Sequence, residues 1–358
     1  MKLKTSFFFL AILPVLALLT FVLSGCKPTT AATKETGNNA EEHEHVEPAA
    51  EGEMLTLPAL QPAALNGSPL RVVATTSVIG DVVAQVGGDA ISLTVLIGPG
   101  VDSHSYQPGA QDLTVVENAH VIFVNGWDLE EALVHDLETI GAGVSIVPVS
   151  AGIPPLTVEG SGHEDEGEGG EETDEHAHTG ADPHVWFNIH NVEQWVENIE
   201  HVLSELDPAN AETYANNAET YLEELEELEA YVTSLLEQIP SESRILVTNH
   251  DSFSYFADEY GFEILGTVIP AASTLAEPSA ADLAGLITEM EEHGVCTIFA
   301  ETSVSDTLAQ TVAGELEGCD EVKVLPLYTE AIGSAGGGAD SYIGMFRANV
   351  DAIVQGLR

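Results

Sequence analysis

Basic residues are scarce. Nine lysines and arginines stand against 59 aspartates and glutamates in 358 residues, a formal net charge of -50. Nucleic acid is thereby excluded as a partner, because nothing offsets phosphate repulsion. The acids fall on predicted helix faces and in linkers, so they read as a solvated surface. Such a surface stays soluble in high salt and repels itself in low salt, which suits a saline or acidic habitat. Cysteine is scarcer still, with three in the chain. No HExxH and no paired CxxC occurs, so neither a protease-type zinc helix nor a zinc ribbon is encoded.

One long apolar run is present, and it stands at the start. MKLKTSFFFLAILPVLALLTFVLSGC holds two lysines, an apolar stretch from Phe7 to Leu23 and small residues before Cys26. That is the order of a secretory signal, here residues 1–25. Pro14 interrupts the stretch, which is borderline in length for a membrane span; an uncleaved anchor is the alternative. Leu23-Ser24-Gly25-Cys26 resembles a bacterial lipobox. The resemblance implies cleavage before Cys26, lipid on its sulfur and a chain held outside the cytoplasmic membrane. Cys296 and Cys319 then remain. One begins a strand-like run and the other ends the following helix. An oxidising compartment permits a disulfide between them, with two buried thiols as the alternative.

The length allows two domains and a sizeable core. Residues 26–69 are rich in Ala, Thr, Glu, Pro and Gly without an apolar period, and read as a disordered tether. From residue 70 onward strands and helices alternate. RVVATT, ISLTVLI, VIFVNG and VSIVPVS are the strands of a first lobe, residues 70–206. ESRILVTN, FEILGTVI, CTIFAE and VKVLPL are those of a second, residues 240–358. The halves are similar in plan, with no residue-level repeat. Such alternation predicts an α/β fold of two lobes, each a four-stranded, mainly parallel sheet flanked by helices. Residues 152–181 interrupt the first lobe with an acidic loop that cannot bury a core.

Between the lobes, residues 207–239 carry apolar side chains at steps of three and four from Tyr214 to Ile239, one face of a helix. Asp207-Pro208 reads as its N-cap and first-turn proline, and Pro240 lies past its end. The predicted helix is about 45 Å long, which suits a rigid strut. A coiled-coil arm would need more heptads than the apolar face provides.

Ligand sites in parallel sheets lie beyond the carboxyl ends of the strands. His104 follows the second strand, His184 lies in DPHVWF, and His250 follows RILVTN. Asp340 lies in GGGADSYIG, where glycines let the backbone fold inward. These four come two from each lobe. Three imidazoles and one carboxylate form a closed tetrahedral set that suits zinc. A single histidine is more often satisfied by a hydrogen bond, and ligands this scattered form no motif by spacing. His120, His135, His190, His201 and His293, in or beside predicted helices, read as ordinary histidines, as do His43 and His45 in the tether. His163, His176 and His178, among the acids of the 152–181 loop, make either a metal-gathering tract or a plain acidic loop.

GPGVDSHSYQP, NGWDLEEAL, DPHVWF, NHDSFSYFADEYG, IFAETSVS and GADSYIGMF, in that order around one long helix, resemble the zinc- and manganese-specific solute-binding lipoproteins of ABC importers, the cluster A-I binding proteins. The resemblance runs from about Arg71 to the end. It implies that His104, His184, His250 and Asp340 hold the metal. It also implies that Glu301 lies near the site, where it would orient an imidazole from behind; Asp182, before Pro183, is a second candidate for that role on its position alone. The bland readings are a helix N-terminal acid for Glu301 and a turn former for Asp182. Manganese members carry a carboxylate at the place of His250, so imidazole there favours zinc. Zinc members also carry a His- and acid-rich loop where residues 163–178 fall, and this tract has few histidines for its length.

The expectation is therefore a monomeric, lipid-anchored, extracytoplasmic protein that is not an enzyme. It takes zinc as transported ligand and hands it to an ABC membrane permease. Manganese or iron in the same role is the near alternative, and a zinc-dependent hydrolase the distant one. Four protein ligands leave no position for the water a hydrolase needs. A rigid strut further predicts small opening, with release by loop movement.

Overall fold

Alternation along each strand sets the layers. In β1 (Leu70–Ala74) Val72 and Ala74 point to one apolar cluster and Val73 to another. In β3 (Val121–Val124) Val121 and Phe123 share the first cluster, while Ile122 and Val124 join the second. The same split recurs in β5 (Ile245–His250), where Leu246 and Val247 part, and in β7 (Thr297–Glu301), where Phe299 parts from Ile298 and Ala300. Side chains on a strand face opposite ways, so both faces of each sheet are buried. The computed structural model describes residues 54–130, 133, 144–157 and 180–358. Residues 1–53, with Cys26, His43 and His45, lie outside the described residues, as do His135 and the histidines at 163, 176 and 178.

With β2 (Ile91–Val95) and β4 (Ser145–Pro148) the first sheet runs in the order β2-β1-β3-β4, all parallel. The second adds β6 (Glu263–Ile269) and β8 (Lys323–Leu327) in the matching order β6-β5-β7-β8, again all parallel. The described helices are α1 (Ser77–Gly87), α2 (Ala110–Glu117), α3 (Ile189–Leu206), α4 (Ala211–Leu236), α5 (Ser254–Tyr260), α6 (Ala280–His293), α7 (Thr307–Glu315) and α8 (Tyr342–Gly356). α2 covers the outer face of the first sheet, and α6 and α7 that of the second.

α4 is the linking helix. It buries Tyr214, Ala218, Tyr221, Leu225, Leu228, Val232 and Leu236 along one face and packs on α1 and α3 of the first lobe and α8 of the second. Its 26 residues span about 39 Å. The start differs from expectation. Asp207 is the C-cap of α3, and its carboxylate accepts from Asn210 Nδ2 at 2.7 Å and Tyr214 Oη at 3.0 Å. Pro208 therefore lies in a tight turn, and the helix begins three residues later.

The tether also ends earlier than expected. Residues 54–65 form an irregular strap on the first lobe, with Leu60 buried and Leu55, Leu57, Ala63 and Leu65 packed on the core. Ala63 N donates to Leu206 O, and Gly152 N donates to Leu55 O. Leu55 lies over Gly126, where any Cβ would collide with its side chain. The acidic loop is closed at its base by an antiparallel bridge between Thr157 and Ala181.

Candidate metal centre

His250 is the last residue of β5, and Glu330 stands three residues beyond β8. His104 lies in the loop after β2, and His184 just before the short turn Val185–Phe187 that leads into α3. All four are thus at the carboxyl ends of the two sheets, two from each lobe. His184, His250 and Glu330 are buried, and the His104 side chain is 7% exposed.

The four groups converge. His184 Nε2 is 3.1 Å from His250 Nε2 and 3.4 Å from His104 Nε2. Glu330 Oε1 is 3.3 Å from His184 Nε2 and 3.5 Å from His250 Nε2, and Oε2 is 3.7 Å from His104 Nε2. One ligand atom from each lies within 4.8 Å of all the others. A tetrahedron with bonds of about 2.0–2.1 Å has edges of about 3.3–3.4 Å, so the spacing is that of a four-coordinate ion. Glu330 Oε1 is buried and accepts no hydrogen bond, the condition of an oxygen that faces a cation.

Groups behind the cluster aim it. Asp182 Oδ1 meets His184 Nδ1 at 2.7 Å and accepts from the His184 backbone N at 2.9 Å. Glu301 Oε1 contacts His250 Nδ1, while its Oε2 accepts from Thr329 Oγ1 at 2.8 Å. A carboxylate on Nδ1–H leaves the Nε2 lone pair pointing to the centre and makes it more basic. Burial alone would lower both imidazoles, but Asp182 and Glu301 outweigh it and raise them above the usual histidine range. His104 has no such partner among the described residues, and burial lowers it. The surrounding imidazoles hold Glu330 well below the usual carboxylate range, against its burial. Asn125 Nδ2 donates to Pro183 O at 2.8 Å, which fixes the turn that carries His184.

Asp340 is not in the cluster, contrary to expectation. It is exposed, and its Oδ2 accepts from Gly336 N at 2.7 Å. Its carboxylate thus closes the glycine turn rather than facing the cleft. Glu330 in LYTEAIG takes the place assigned to it. The signal was available: Glu330 stands just past the carboxyl end of the last strand, as His250 does for its own. Cys296 and Cys319 lie with their Sγ atoms at bonding distance and Cα atoms 5.8 Å apart.

Two α/β lobes joined by one helix, with a closed four-ligand cluster between their sheets, define a binding protein rather than a catalyst. A family model described as zinc-uptake complex component A, periplasmic (ZnuA), matches residues 72–356. The chain belongs to this family, whose members are solute-binding proteins and not enzymes. It is 34% identical over 292 residues to the manganese-binding lipoprotein MntA of Halalkalibacterium halodurans, covering 82% of this chain and 90% of that one. It is 30% identical over 305 residues to the manganese ABC transporter substrate-binding lipoprotein PsaA of Streptococcus anginosus, covering 82% and 91%. The solved structure of the periplasmic zinc-binding protein TroA of Treponema pallidum superposes with a TM-score of 0.69 at 30% identity, covering 81% of this chain and 99% of that one.

Proposed function

We propose that this chain captures one zinc ion in the cluster of His104, His184, His250 and Glu330 and delivers it to the permease of an ABC importer. It does so as a monomer outside the cytoplasmic membrane, held there by lipid on Cys26. The observation that carries the reading is the set itself: three imidazole nitrogens and one carboxylate oxygen within 4.8 Å, with no fifth protein ligand among the described residues. Nitrogen at His250 favours zinc over manganese, which prefers oxygen. Each imidazole must be free of its Nε2 proton to bind, so affinity falls as pH falls. The family description and the relatives' names support the transport role. The cysteine positions support a disulfide between Cys296 and Cys319, which an exported chain permits. A second reading, manganese or iron in the same site, draws support from MntA and PsaA, both named for manganese.

The test is competitive binding of zinc and manganese to the full chain and to His250→Ala. The expected result is one zinc per chain, displaced poorly by manganese and lost in the variant. Preference for manganese in the wild type would overturn the choice of metal. Full retention of zinc without His250 would overturn the ligand set.

A further inference from the structure

His104 differs from the other three ligands in how it is held. His184 and His250 have carboxylates on their rings, whereas His104 is fixed through its backbone. Its N donates to Asp102 Oδ1 at 3.1 Å. The loop that carries both residues follows β2, the edge strand of the first sheet, and includes Gly100 at φ 72°. Such a loop needs an external hold to keep an imidazole in place.

The other oxygen of the same carboxylate supplies that hold. Asp102 Oδ2 accepts from Thr274 Oγ1 at 2.8 Å. Asp102 is buried, 8% exposed. Thr274 belongs to the second lobe, in the segment between β6 and α6. The contact is half-buried, and the residues beside it, Val101 and Leu275, are 40% and 64% exposed, so it lies nearer the surface than the buried His184, His250 and Glu330. Ser103 Oγ also reaches across to Glu330, but that contact runs through a ligand and cannot be altered without altering the ligand. The Thr274 hydroxyl bonds to Asp102 and to none of the four metal-facing groups.

We propose that Thr274 is a cross-lobe positioning residue for metal binding. Through Asp102 it sets how readily His104 leaves the ion, and so how fast the site releases it. Breaking the Thr274–Asp102 hydrogen bond frees the loop to swing while His184, His250 and Glu330 stay in place. Release would then begin at His104. This inference rests on the proposed metal site.

The test uses the full chain loaded with zinc and measures dissociation into an excess of a chromogenic chelator, for wild type, Thr274→Val and Thr274→Ser. Valine keeps the shape and removes the hydroxyl; serine keeps the hydroxyl. Loss of one hydrogen bond to a carboxylate corresponds to about a tenfold change. The expected result is release about tenfold faster in Thr274→Val, near wild type in Thr274→Ser, with one zinc per chain and an unchanged metal-free melting midpoint in both. Equal release rates for Thr274→Val and wild type would overturn the inference, as would equally fast release from the two variants. A purely structural role would appear as a lowered metal-free midpoint without faster release, and would overturn it too. A wild-type chain that binds no zinc or manganese would instead overturn the proposed site, and this inference with it.

Discussion

The carboxyl of Glu130 lies inside the first lobe, 3% exposed. Thr75 Oγ1 and, at 2.9 Å, Asn125 N both donate to Oε1, while Oε2 has no hydrogen-bond partner. Burial pushes its pKa from 4.5 up to about 7. The folded chain therefore keeps this proton where the unfolded chain loses it. Wild-type stability carries no penalty below about pH 4.5 and loses ground as pH rises to about 7, by about 3 kcal/mol from this group. Glu130→Gln removes the proton exchange. The unfolding free energy of the variant, measured by urea titration, should gain on wild type by about that amount across the same interval. A constant difference between the two would contradict it. At the metal site the contrast is sharper. Glu330→Ala removes one member of the proposed ligand set and should lower zinc affinity at least a hundredfold, whereas Asp340→Ala should leave it unchanged by calorimetric titration. The three histidines were legible because each falls beside a strand end or a stiff Pro183 turn. Glu330 stands past a strand end too, but one acid among 59 carries less information than a histidine does. The glycines around Asp340 suggested an inward fold that the Gly336 hydrogen bond instead closes on itself.

Two helices end on one side chain. Arg244 Nη2 donates to Leu236 O at 3.0 Å, at the end of α4, and Nη1 donates to Tyr260 O at 2.8 Å, at the end of α5. Its Nε reaches Ile239 O at 3.3 Å. A fixed guanidinium thus satisfies carbonyls that a helix end leaves open, and its charge complements both macrodipoles. Arg244→Ala should cost about 2–4 kcal/mol in chemical unfolding with zinc stoichiometry unchanged, since hydrogen bonds to a charged group contribute more than neutral ones. Lengthening of the denaturation slope in place of a midpoint shift would argue against it. At this scale the strands and the linking helix were readable, since burial on both faces writes apolar runs and a buried helical face writes steps of three and four. The strap over 54–65 was not. It is held by scattered backbone hydrogen bonds and by Leu55 over Gly126, and neither leaves a period in the sequence.

Across the whole molecule, one apolar cluster joins residues of both lobes through α4 and α8. The lobes should therefore unfold together, as one calorimetric transition whose midpoint rises with zinc. Two separated transitions would mean that the shared core does not couple them. With a charge of -50, the same midpoint should rise by several degrees with salt. Screening shortens the Debye length from about 30 Å at 0.01 M to about 3 Å at 1 M. The two-lobed plan was legible because strand-helix alternation fixes parallel sheets. The matching strand orders were not, because order within a sheet depends on packing between elements far apart in the chain.

The strap has a direction as well as a place. It runs from Leu206, at the far end of α3, to Gly126 and Gly152, beyond the carboxyl ends of β3 and β4. Its Leu55 end thus emerges on the face where the metal ligands sit. Backbone hydrogen bonds near both ends, with Leu55 seated over Gly126, pin the chain's entry into the first lobe to that face.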